Sequence, residues 1–106
     1  MPAELLDAVD RLVGRVQHWT PSRWERPSAV AGASRADLVH ALAQRLADAG
    51  ADAEGEVRRV VPRLDNDLAL PDQIRVLAGD ALAGGVPPEV AEALTADVVA
   101  TAAQLG

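Results

Sequence analysis

The chain has no cysteine, no lysine, no phenylalanine and no tyrosine. Without cysteine there is no disulfide, no thiolate zinc site and no thiol nucleophile, and the composition fits a reducing cytoplasm. Without lysine, all positive charge rests on ten arginines, opposed by sixteen acids for a net charge of −6. A protein that grips a phosphate backbone needs a clustered positive surface. The one basic cluster, Arg58, Arg59 and Arg63, is flanked by Glu54, Glu56, Asp65 and Asp67, so nucleic acid is not an expected partner. Long apolar runs are missing as well, since no stretch approaches the roughly 20 residues of a membrane span. The opening "MPAELLDAVDRL" carries acids where a secretory leader carries bases. An acidic, cytoplasmic protein without membrane contact is the expectation.

What remains is rich in leucine, valine and alanine, in a chain of 106 residues. That length supports one core, hence a single helical domain over 1–106, burying roughly two thirds of the surface its unfolded chain exposes. In "PAELLDAVDRLVGRVQHW" the residues Leu5, Val9, Leu12, Val16 and Trp19 recur at spacings of four and three, with Leu6 and Val13 widening the stripe. This is the period of an amphipathic helix. It is expected to stop near Thr20, because Pro21 disfavours helical geometry in the residue before it. "TPS", "RPS" and "AVAGAS" make residues 20–34 a connection.

Ser34 reads as an N-cap with Asp37 three residues on. It opens a helix from about Arg35 to Ala49, with Gly50 as its stop. Leu38, Val39, Leu42, Leu46 and Ala49 share one face, while Asp37, His40, Gln44 and Asp48 lie on the other. Val57, Val60, Val61 and Leu64 could continue a helical stripe, but Pro62 interrupts it. The segment 51–70 is therefore expected to be partly ordered, with its valines laid on the bundle. A third long helix starts near Pro71 and ends at Gly84–Gly85, with Ile74, Leu77, Ala78, Ala81 and Leu82 inward. A fourth starts near Pro88, carrying Val90, Leu94, Val98, Thr101 and Leu105. The fold class is all-α, a four-helix bundle with short connections between antiparallel neighbours.

Both tryptophans and both histidines fall within residues 18–42. There the run "LLDAVDRLVGRV…WTPSRWERPS…RADLVHAL" resembles the N-terminal part of the DinB-like bundles, especially the mycothiol-dependent maleylpyruvate isomerase group. The resemblance covers about residues 4–46. It implies a four-helix bundle and, in many members, a divalent metal held by three histidines that activates a thiol cofactor or water. The family's first ligand, the histidine of "DLVAHL", aligns with Ala41. His40 stands one residue early, about 100° around the helix, and no histidine follows it. The family's "PCPGW" segment is replaced by "SAVAGAS". The inherited metal site is thus expected to be lost.

An improvised site would have to draw on His40, Gln44 and Asp48, with Asp72 or Asp97 from other helices. Trp19, Trp24 and His40 are the candidates for contacting a ligand, although the tryptophans are better explained as core at the corner between the first two helices. His18 shares the polar side of the first helix. Ser22, Ser28 and Ser34 have turn and capping roles, and none sits in a nucleophile elbow. "DND" at 65–67 lacks the glycine and later glutamate of a calcium loop. The leading expectation is a non-catalytic helical module acting through self- or partner association, possibly as a homo-oligomer, with no cofactor. The alternatives are a metal- or thiol-cofactor-dependent enzyme around His40, and a small-molecule binder using Arg58, Arg59 and Arg63.

Overall fold

The computed structural model describes residues 2–64 and 66–106. The first stripe winds α1 over Pro2–Val16 and buries Leu5, Val9, Leu12, Val13 and Val16, while Leu6 stays partly exposed. Helical structure ends at Val16 rather than near Thr20. Thr20 must be extended ahead of Pro21, with ψ 160°, and Trp19 turns into the core. Pro21–Trp24 then forms a single helical turn, α2, capped by the Thr20 hydroxyl accepting from the Arg23 N–H.

Ser34 opens α3 with a reciprocal capping box. Its hydroxyl accepts from the Asp37 N–H at 3.1 Å, and the Asp37 carboxylate accepts from the Ser34 N–H at 2.9 Å. The helix runs over Arg35–Glu54, past the expected stop at Gly50. Gly50 instead lies inside the helix and faces α4, where a Cβ would sit at an ordinary packing distance of 3.5 Å from the Cα of Ala81. The terminating glycine is Gly55, at φ +69°, a left-handed conformation that favours glycine.

Residues 55–64 form an irregular strap. The expectation that its valines pack on the bundle holds only for Val61, because Val57 and Val60 remain 85% and 84% exposed. A 3₁₀ turn at Asp67–Ala69, capped by the Asn66 side chain, leads into α4 over Leu70–Ala83. Pro88–Gln104 forms α5.

α1 packs against α4 and α5, and α3 packs against the same two. The result is an all-α, four-cornered bundle around Leu5, Leu42, Leu46, Ile74, Leu94 and Val98. Consecutive helices are not all neighbours, contrary to the expectation. Four residues join α4 to α5, yet these two occupy opposite corners, as do α1 and α3. α5 lies between α1 and α3 and buries Ala91, Leu94, Val98 and Thr101. No β-strand forms among the described residues, apart from an isolated bridge between Pro27 and Ser34.

Candidate functional site

The polar side of α3 is where the sequence places its candidate metal donors, and there the chain folds back on itself. Gln44 behaves like a neighbouring strand. Its Oε1 accepts from the Val61 N–H at 2.8 Å, and its Nε2 donates to the Arg59 carbonyl at 2.9 Å and to Asp48 Oδ1 at 2.9 Å. His40 Nε2 lies 2.9 Å from the Val61 carbonyl. A carbonyl only accepts, so this nitrogen carries a proton and has no lone pair to offer a metal. His40 and Gln44 thus clasp the strap to α3 and satisfy backbone groups beside the buried Val61.

The three-histidine centre implied by the DinB-like resemblance does not fit these residues. Ala41, at the ligand position, has no donor atom, and no group of three His, Asp or Glu suited to a metal assembles among the described residues. Asp97 faces Arg45 at 3.5 Å, and Asp72 is exposed on α4. Of the "DND" acids, Asp67 accepts from Arg63 at 3.2 Å, while Asp65 lies outside the described residues.

The two tryptophans are structural. Trp24 is fully buried and Trp19 nearly so. Their rings meet edge to face, with centroids 5.0 Å apart. The guanidinium groups of Arg23 and Arg35 lie over Trp19 at 5.1 and 4.9 Å. Trp24 Nε1 is sealed in without an acceptor, so the corner is filled by shape rather than by a polar contact. Neither ring lines any of the four grooves of about 240 to 610 Å³ found on the surface. His18 is exposed, and Ser28 ties its own turn by donating to the Ala33 carbonyl at 2.8 Å.

Sequence reasoning missed the work of Arg15 and Arg35. No basic residue lies in the last turn of α5, yet the carbonyls there attract cations. Arg15 supplies one by donating to Ala102 O at 2.8 Å, and Arg35 another by donating to Leu105 O at 2.9 Å. The missing charge at the end of α5 was the available signal, but its source in two other helices was not.

The strap arginines do not act as one cluster. Arg58 makes a two-pronged pair with Asp52, at 2.9 and 2.6 Å, and Arg63 bridges Asp37 and Asp67 at 3.0 and 3.2 Å. The Ser34 N–H first, and Arg63 after it, hold the Asp37 carboxyl below its ordinary value. A depressed pKa contributes stability that is present above the unfolded value near 4 and lost as pH falls through the folded one. Urea midpoints are therefore expected to decline below about pH 4, with a shallower decline in Asp37→Asn. Equal slopes would contradict the role given to this carboxylate.

Between the strap and α4 lies an open groove with a volume of about 610 Å³, walled by Val60, Val61, Leu64, Val76 and Leu77. No helix is long and apolar enough to cross a membrane among the described residues. No known family model, curated protein or solved structure matches the chain.

Proposed function

We propose that the protein is a non-catalytic helical module of the cytoplasm that works by association, through the aliphatic face where the strap passes α4. The observation that carries this reading is the exposure of Val60, Leu64 and Val76, which line one groove. Exposed apolar surface forgoes about 25 cal/mol per Å² of burial, and contiguous apolar patches mark interaction sites. His40 Nε2 and the Gln44 amide, two of the candidate catalytic groups, are bonded to the strap backbone. A DinB-like descent with the metal ligands lost is compatible with the four long helices and the "TPSRW" turn. Association with a second copy is the other form of the same reading, favoured by the outward position of the two strap valines.

The neutral dye N-phenyl-1-naphthylamine tests the face itself. Its fluorescence is expected to rise with wild-type protein and to fall several-fold with Val76→Asp, a change at an exposed helix position. No rise with wild type would remove the proposed face. Stoichiometric zinc uptake by untagged protein, abolished by His40→Ala, would instead establish the metal alternative.

A further inference from the structure

From Glu56 to Leu64 the strap runs without a turn or a bend. It is tied along α3 at two places, Arg58 on Asp52 and Arg63 on Asp37. The fifteen residues of α3 between those aspartates rise about 22 Å. Five residues of extended chain cover about 17 Å, and the two arginine side chains span the remainder. Within the strap the backbone alternates. The Arg59 carbonyl and both backbone groups of Val61 face α3, where Gln44 and His40 bond them. In extended chain, alternate residues turn their backbone groups to opposite edges, so those of Arg58 and Val60 point away from α3. Neither residue's N–H or C=O has a hydrogen-bond partner among the described residues.

Unpaired N–H and C=O groups along an extended chain are a template for a further strand. Solvated connections are usually built from glycine and small polar residues. This one reads "VRRVV" over residues 57–61, rich in the branched side chains that strands favour, and Val57 and Val60 are exposed beside the bare edge. Pro62 has no N–H to donate and closes the edge, leaving five residues, a common strand length. The strap is also one wall of the open groove of about 610 Å³ whose other wall is α4. A second strap fits this edge less well than a foreign segment does. Antiparallel pairing would set Arg58, Arg59 and Arg63 of one copy beside the same three of the other, and like charges across a ladder repel.

We propose that Val57–Val61 acts as an edge strand, binding an extended aliphatic segment of a partner protein by β-augmentation. The segment's backbone pairs with the N–H and C=O of Val60, and its branched side chains lie against Val57 and Val60. This inference rests on the strap–α4 face being the working surface, and it names the kind of partner that face takes.

Three heptapeptides, alternating valine with glutamate, threonine or lysine, test it against the full chain, each beside its fully N-methylated form. At least one is expected to bind, with its N-methylated form at least tenfold weaker. At saturation the Val60 amide should exchange at least tenfold more slowly, while Val61 stays as slow as before. Val60→Pro removes the N–H and favours extended backbone at residues 59 and 60, so it should weaken that peptide at least tenfold. A Val61 amide that remains slow verifies that the variant's strap is still clasped. Equal binding of the N-methylated form, unchanged Val60 exchange at saturation, or no binding by any of the three at millimolar concentration would overturn the strand pairing. In those cases dye uptake sensitive to Val76→Asp leaves the aliphatic face standing, and failure of the dye ends both readings. A mass of two chains, with Val60 already slow in the protein alone, would overturn the foreign segment and assign the edge to a second copy.

Discussion

Trp24→Ala is expected to lower the unfolding free energy by about 3–5 kcal/mol, the usual cost of truncating a buried tryptophan. Domains of this size are stable by roughly 5–15 kcal/mol, so the variant should lose a fifth or more of its stability. It should melt more than 10 °C below wild type. The effect is large because Trp24 is fully enclosed at the junction of α2, α3 and the 3₁₀ turn, and supports the edge of Trp19. Removing it opens a cavity that helix backbones cannot collapse to fill.

Trp24→Phe should be far milder. It loses volume but also deletes an indole N–H that has no acceptor, and relief of an unsatisfied donor offsets part of the cavity cost. Chemical denaturation followed by far-UV circular dichroism measures both variants. A Trp24→Ala protein as stable as wild type would contradict the filled corner.

Gln44→Ala should cost about 1–3 kcal/mol, since it strips partners from Val61 N–H and the Arg59 carbonyl together. Its signature is local. The strap should loosen while the α1–α5 pairing persists, giving faster proteolysis within residues 57–63 before global unfolding. Gln44→Glu is the informative companion, because a carboxylate still accepts from Val61 N–H but cannot donate to the Arg59 carbonyl, and it stands beside Asp48. It should rescue only part of the loss. Proteolysis rates that do not change in either variant would contradict the clasp.

Much of the bundle was legible because periodicity is a local property. The stripes of α1, α4 and α5, the Ser34 cap and the prolines opening α4 and α5 all appear within a few residues of one another. The end of α3 was not legible. Gly50 and Gly55 are both plausible stops in sequence, and the left-handed cap falls at Gly55. The order of helices around the bundle was hidden as well, since short links suggest neighbours whereas α5 packs against α1 and α3.

The site shows the sharper limit. His40, Gln44 and Asp48 do share a face, as their spacing dictates, and the spacing alone suits metal donors as well as it suits structure. Their partners, Arg59 and Val61, lie 15 to 21 residues away, across a segment with no regular pattern. The distinction among Arg58, Arg59 and Arg63 likewise depends on which aspartates α3 brings within reach. Trp19 and Trp24 were easier, since two lone aromatics bracketing a helix corner in an otherwise aliphatic chain have few places to go but inward.

Residue-resolved amide hydrogen exchange of the wild-type protein tests the clasp most directly. The Val61 amide should exchange slowly, because Gln44 Oε1 receives its proton, while the amide of neighbouring Val60 exchanges freely. Rapid exchange at Val61, equal to that at Val60, would mean that the polar side of α3 does not hold the strap and remains available for other chemistry.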